Sequence, residues 1–207
     1  MDKGIGQYDF EYSNCPCFWG TEPGKYVRYI PGLVKEGSVL DLGAGEGKNS
    51  IYLATLGYKV TGVEISKYAI GNFKIRMEET PETVSRNVEM IHQDVLLFET
   101  KSRYDIIIAY GLLHCLPSIE SVKQLTEKII KWVKPNGIVV IVAFNNDLRV
   151  PSVQDYLEPT LLPKETFKNL FPGFTVLKYE NDIITETHPT SNIEHKHSLT
   201  RMIVKKE

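Results

Sequence analysis

The sequence predicts an α/β fold built on a mostly parallel sheet, with helices on both faces and an antiparallel hairpin at the carboxyl end. Three observations predict it. Short apolar runs alternate with helix-like segments from Val39 to Phe144, as strand–helix–strand units do. A glycine-rich turn, "DLGAGEG" at 41–47, directly follows the first apolar run. The last two apolar segments are joined only by a polar stretch, so they pair antiparallel at one edge.

Each element has its own signal. "GSVLDLG" is a short buried strand, apolar at Val39, Leu40 and Leu42 and closed by Gly43. "KNSIYLATLG" sets Ile51, Leu53, Ala54 and Leu56 at helical spacing and stops at Gly57, a good residue just past a helix end. "YKVTGVEIS" is a second strand ending in Glu64, and Ser66 caps the helix "SKYAIGNFKIRMEET", which Gly71 weakens. "NVEMIHQDV", with Asp94 at its end, is the third strand. "YDIIIAYG" is the fourth, a β-branched run of the kind parallel sheets bury.

A helix runs from Ser118 to about Val133 with Leu125, Ile129 and Val133 on one stripe, ahead of the turn signal Pro135-Asn136-Gly137. "GIVVIVAF" is the fifth strand, and "NNDLRVPSVQDYLEPTLLP" a polar loop with a helical turn. "KETFKNLF" is a short helix, after which "FTVLKYENDIITE" and "HSLTRMIVKK" close the sheet. Upstream of the first strand, Thr21 caps a helix over Glu22 to Pro31. Right-handed crossovers place helices on both faces, and ligands then sit at the carboxyl ends of the strands.

Bulk properties narrow the partners. The 207 residues suit one domain with a modest extension, and 42% hydrophobic content is ordinary for a globular chain. A net charge of -2 gives no field for a polyphosphate backbone, so nucleic acid is not expected as a partner. No apolar run reaches the roughly 20 residues that span a bilayer, and "MDKGIGQYDFEYSNC" lacks a secretory apolar core. Cys15, Cys17 and Cys115 make no disulfide framework, which points to a reducing, cytoplasmic setting.

The turn at 41–47 is not a dinucleotide fingerprint. Such sites hold a pyrophosphate at a helix N-terminus, and Asp41, two residues ahead of Gly43, would repel it. Asp41 with Gly43, Gly45 and Gly47 therefore selects a cationic ligand without phosphate. Glu64 can grip a ribose diol at the end of the second strand, with Ile65 beside it. Asp94 can accept from an exocyclic adenine amine while Val95 packs on the ring.

These motifs resemble, in order from about Gly37 to Phe144, those of the class I S-adenosylmethionine-dependent methyltransferases. "VLDLGAGEGKNS" is similar to their first motif, "VEIS" to the acidic second and "QDV" to the adenine contact. "YDIIIAYGLLHCL", which carries Tyr110, is similar to the fourth, and "WVKPNGIVVIVAF" to the penultimate helix–turn–strand. The resemblance implies a seven-stranded Rossmann-like sheet with the last strand between the fifth and sixth, and S-adenosyl-L-methionine as cofactor. It divides the chain into 1–36, an aromatic lid and helix, and 37–207, the cofactor-binding domain. "NSIYLATLGYKVTGVEIS" and "LPKETFKNLFPGFTVLKYENDI" are more narrowly similar to the tellurite-resistance methyltransferase branch. That branch implies methyl transfer to a small acceptor: a thiol, chalcogen oxyanion, hydroxyl or amine.

The acceptor side is less defined. An anionic acceptor needs no base, whereas a neutral hydroxyl or amine does. His114, just past the fourth strand, either accepts a proton or caps the next helix. His195 and His197 alternate in "EHKHS" and share a face with Leu199 and Arg201, lining an acceptor pocket or a solvated strand end. Arg201 or Arg149 can hold an oxyanion bidentately. Joining His188 to His195 and His197 would make a metal site, but no Cys or carboxylate spacing completes one, so no metal is expected. In the aromatic N-terminal stretch, Tyr8, Tyr12, Phe18 and Trp19 either cover the cofactor and acceptor or pack against the sheet edge. An enzyme is the leading reading, and a cofactor-binding module without turnover is the alternative. Oligomeric state is not legible.

Overall fold

The structure is a computed structural model that describes residues 3–151, 159–189 and 193–207. A seven-stranded sheet has the order β3-β2-β1-β4-β5-β7-β6. Its strands are β1 (Ser38–Leu42), β2 (Lys59–Glu64), β3 (Val88–His92), β4 (Tyr104–Tyr110), β5 (Val133–Phe144), β6 (Phe174–Glu186) and β7 (His195–Lys206). The pairs from β3 through β5 are parallel, while β7 is antiparallel to both β5 and β6. The expected insertion of the last strand between the fifth and sixth is what forms.

Strand alternation assigns each side chain to one of two cores. Leu40 and Leu42 of β1, Ile107 and Ala109 of β4, and Met202 and Val204 of β7 face the helix α6 (Ile119–Trp132), which contributes Leu125 and Ile129. Val39, Ile106, Ile108 and Ile203 face the opposite way, onto Leu53 and Ala54 of the helix α3 (Lys48–Thr55). Both layers are fully buried at most of these positions, each worth about 1.5–3 kcal/mol against exposure. Asp41 lies on the α3 side because Leu40 and Leu42 take the other.

Caps fall where polar residues precede apolar stripes. Ser66 accepts from Ala69 N to open the helix α4 (Lys67–Glu78), and Ser118 accepts from Ser121 N to open α6. At the β1–β4 edge, the Asp105 carboxylate accepts from Ser38 N and Lys134 Nζ, both at 2.8 Å. Its partial burial opposes ionisation, but these bonds outweigh it and hold Asp105 below the usual carboxylate range.

Several expectations need correction. The helix expected over Glu22–Pro31 is instead a 3-10 turn at Val27–Tyr29 followed by the short helix α2 (Ile30–Leu33), and Thr21 does not cap it. Gly24 breaks it, because its N–H is committed to Asn49 Oδ1 at 2.9 Å. The helix α1 (Lys3–Asn14), not expected, forms upstream, and α5 (Glu82–Ser85) is a single turn. Lys164–Leu170 is a 3-10 helix. Pro135-Asn136-Gly137 lies inside β5 as a register shift between Tyr104 and Ile106, with Asn136 at φ 63° absorbing it. β3 ends at His92, so Asp94 stands in the following turn. The helical turn expected after Phe144 falls partly at 152–158, and the β6–β7 connection partly at 190–192, both outside the described residues.

Candidate active site

A cavity of about 460 Å³ opens at the carboxyl ends of the parallel strands, within the usual range of about 300–1,000 Å³ for ligand sites. At one end its wall is built by Gly43, Gly45, Glu64, Ile65, Asp94 and Val95. Tyr12 and Trp19 of the N-terminal segment cover it, and Tyr110, His114, Glu186 and Arg201 line the other end.

Glu64 organises the first end. Its Oε2 accepts from Gly45 N at 2.8 Å, and its Oε1 accepts from Ile65 N and Ser66 N at 2.9 and 2.8 Å. These bonds fasten the glycine turn of β1 to the end of β2. Burial pushes the Glu64 carboxyl up, against the pull of its three N–H donors. Gly45 has φ +56°, and a Cβ there would stand 2.8 Å from the Tyr12 hydroxyl. The backbone can therefore come this close to Tyr12 only without a side chain. Asp94 Oδ1 accepts from Leu96 N at 2.8 Å. Lys128 of α6 then fixes the loop by donating to Leu96 O and Phe98 O at 2.8 and 3.1 Å.

Asp41 and Gly47 do not reach the cavity wall. Gly47 opens α3, and Asp41 sits behind the turn at 1% exposure, where its Oδ2 accepts from Ser50 Oγ at 2.7 Å. Burial raises the Asp41 carboxyl to about 7, with Ser50 and Lys48 opposing the rise and Glu64 adding to it. The folded state then keeps a proton that the unfolded chain loses near 3.8, so Asp41 lowers stability progressively as pH rises from about 4 to about 7. Asp41→Asn is expected to remove that slope while keeping an acceptor for Ser50. Thermal unfolding of both proteins from pH 5 to 8 checks it: the midpoint of the variant should gain on the wild type as pH rises.

The N-terminal segment is tied down over the glycine turn. Asn72 of α4 donates to Tyr12 O and to Glu46 Oε1, each at 2.8 Å, and Glu46 Oε1 also accepts from Cys17 N. Ser66 Oγ donates to Asp9, Lys48 Nζ to Trp19 O at 2.8 Å, and Tyr8 OH lies 3.1 Å from Cys115 Sγ. Neither Glu46 nor Lys48 stood out in the sequence, since their partners come from distant segments.

At the other end, His114 is buried and stacked on Phe144, its Nδ1 accepting from Phe144 N at 3.2 Å. Burial lowers its imidazole to about 3. The neutral ring carries its proton on Nε2, so His114 is a donor there and a poor base. Arg201 Nη1 donates to Asp182 Oδ2 at 2.6 Å, and its Nε has no hydrogen-bond partner among the described residues.

His195 and His197 lie off the cavity wall, turned toward Glu186 on β6. Exposed Arg149 sits on a separate small pocket with His114, Phe144 and His197, so it does not share the cavity with Arg201. At this end of the cavity, a wall member missed in the sequence is Glu186. Its signal was the Glu-x-His of 186–188 facing the His-x-His of 195–197, which becomes readable only once the hairpin register is known.

The sequence model of the family described as "Tellurite resistance protein TehB" matches residues 26–200. The chain belongs to that family. Among curated relatives, the probable S-adenosyl-L-methionine-dependent methyltransferase TehB of Haemophilus influenzae is 26% identical over 158 residues, 76% of this chain and 52% of that protein. A ubiquinone biosynthesis O-methyltransferase of Shewanella halifaxensis is 28% identical over 149 residues, 71% and 58% of the two. The chain thus spans about half the length of these relatives. The crystal structure of TehB from Haemophilus influenzae superposes with a TM-score of 0.74 at 22% identity, over 87% of this chain and 61% of that one. The N-methyltransferase NodS from Bradyrhizobium japonicum, in complex with S-adenosyl-l-homocysteine, gives 0.74 at 13% identity over 99% of both chains. The TehB-family chain therefore carries the class I S-adenosylmethionine-dependent methyltransferase fold. Among its described residues no helix is long and apolar enough to cross a membrane.

Proposed function

We propose that this TehB-family chain is an S-adenosyl-L-methionine-dependent methyltransferase for a small anionic acceptor, a thiolate or chalcogen oxyanion. The observation that carries it is a single cavity with a nucleoside cradle at one end and a buried cation, Arg201, at the other. The cradle fits the cofactor: Glu64 is positioned by three N–H donors to meet a diol, Val95 offers an apolar face, and the Gly45 backbone leaves room beside it.

When bound, S-adenosyl-L-methionine supplies a methyl group activated by its sulfonium. Asp41, one layer behind the turn, gives the cradle a negative potential once it ionises, and Tyr12 and Trp19 exclude water from above. Arg201 holds the acceptor's negative charge, and His114 donates from Nε2 to steady it. Among the described residues at that end His114 is a poor base, and the Glu186 carboxylate is turned toward His188, His195 and His197, which favours acceptors already ionised. Free Cys15, Cys17 and Cys115 support a reducing, cytoplasmic setting.

The test is incubation with methyl-labelled cofactor and a panel of thiols, chalcogen oxyanions, phenols and amines. Label should pass to the anionic members, with a rate that follows the ionisation of the acceptor. Transfer confined to neutral amines or phenols would contradict the acceptor class. Binding without transfer to any member would leave a cofactor-binding module.

A further inference from the structure

Four donors at the end of the β6–β7 hairpin are left unused by the proposed reaction. Glu186 and His195 are register partners. Alternation puts His197 on the same face, and His188 follows Glu186 by two residues. One donor atom from each lies within 4.8 Å of all the others. His195 Nε2 is 3.2 Å from His188 Nε2. Glu186 Oε1 is 3.3 Å from His197 Nε2, 3.7 Å from His188 Nε2 and 3.9 Å from His195 Nε2. Around a tetrahedral zinc with bonds of about 2.0–2.1 Å, ligand atoms stand about 3.3–3.4 Å apart. Four of the six donor–donor distances, from 3.2 to 3.9 Å, lie close to that edge length.

The surroundings are those of a built site. His188, His195 and His197 are 7%, 7% and 5% exposed. His195 Nδ1 donates to Ile193 O at 2.8 Å, which leaves the lone pair of the neutral ring on Nε2, facing the cluster. The His197 ring lies flat on Phe144, centroids 4.0 Å apart and planes 5° apart, and His188 stacks on Phe18 at 5.3 Å. Glu186 Oε1 and His197 Nε2 are buried with no hydrogen-bond partner among the described residues. A carboxylate oxygen and an imidazole nitrogen left in this way are costly unless a cation joins them.

We propose that Nε2 of His188, His195 and His197, with Oε1 of Glu186, binds a single divalent transition-metal ion of the zinc class. Imidazole with one carboxylate favours zinc over calcium or magnesium, which take oxygen ligands. Four protein ligands close a tetrahedral shell, so the ion acts as a staple. It joins β6 to β7 beneath Phe18 and Trp19, beside the cavity wall that Glu186 forms, and its binding adds to the stability of the folded chain. This inference is independent of the methyltransferase reading.

The full-length chain, stripped with a chelator and freed of it, is titrated with Zn²⁺ and separately with Co²⁺. We expect uptake of a single ion per chain and a raised unfolding midpoint. Co²⁺ should give the strong visible absorption of a tetrahedral site without near-ultraviolet thiolate bands. His197→Asn and Glu186→Gln should each weaken uptake by more than the roughly 10–100-fold that losing an outer-shell partner costs. Circular dichroism confirms that each variant is folded. Absence of stoichiometric uptake by the wild type, or uptake unchanged in both folded variants, would overturn the proposal. So would thiolate bands placing the ion on Cys15, Cys17 or Cys115. Should the variants fail to fold, the wild-type cobalt spectrum decides alone: thiolate-free tetrahedral bands support the site, and their absence overturns it.

Discussion

Replacing Glu64 by alanine is expected to weaken S-adenosylhomocysteine binding by about a hundredfold or more, the equivalent of about 3 kcal/mol. The side chain does two things that alanine cannot. It presents a fixed carboxylate to the cavity, and it accepts from Gly45 N, Ile65 N and Ser66 N. Removing it leaves three N–H groups without their acceptor in a region that is 7% exposed at Glu64 itself. A stability loss of about 2–4 kcal/mol follows, since bonds to a charged acceptor are worth about 1.5–3 kcal/mol each and do not add fully. That corresponds to a midpoint drop of roughly 5–15 °C for a chain of this size. Glu64→Gln keeps one oxygen but turns an NH₂ against a backbone N–H, so it should fall between the two. Calorimetric titration alongside thermal unfolding at one pH checks both effects. Affinity within a few-fold of wild type in a folded Glu64→Ala protein would rule out a binding role for this carboxylate.

Gly45→Val is expected to be nearly as damaging, for a reason rooted in the backbone. A left-handed residue with a Cβ costs about 1–2 kcal/mol, and a β-branched one more. Here the Cβ would also stand 2.8 Å from the Tyr12 hydroxyl, so Tyr12 must leave its place over the turn. A total of about 3 kcal/mol and a midpoint fall of roughly 6–12 °C are predicted, with binding lost because the cradle and its cover separate. Gly57→Ala is the control. Gly57 has φ +90°, but a Cβ there meets nothing within 4 Å, at a helix end away from the cavity. It should lose only the backbone cost and keep its ligand affinity. Equal affinity losses in the two variants would mean that strain alone, and no close approach at Gly45, explains the effect. Gly45 and Glu64 are bonded to each other, so their double variant should lose less than the sum.

Features encoded over short stretches were legible in the sequence. β1, β2 and β4 and their buried faces follow from local apolar patterning, and the cap at Ser66 from residue type alone. The glycine turn and Glu64 could be read as one site because they end adjacent parallel strands. α1 was not legible. Its stretch contains Gly4 and Gly6 and a scatter of aromatic and acidic residues, and the hold on it comes from Asn72 and Ser66 of another segment. Asp41 was read as a cavity residue, yet which way it faces depends on the pairing of β1 with its neighbours. That pairing directs it to Ser50 of α3. The histidines of β7 needed still more: the β6 register that sets Glu186 across from His195. His114 lines the cavity, but its backbone bond to Phe144 and its burial, both tertiary, make its ring a donor and not the proton acceptor expected as one of two readings.

The central claim is that the cavity walled by the glycine turn is a cradle for an adenosine carrying no phosphate. Calorimetric titration of the wild-type chain with S-adenosylhomocysteine and, separately, with NADH tests it most directly. Saturation of a single site by S-adenosylhomocysteine, with no heat of binding from NADH, is the predicted result. Binding of NADH with silence from S-adenosylhomocysteine would contradict it.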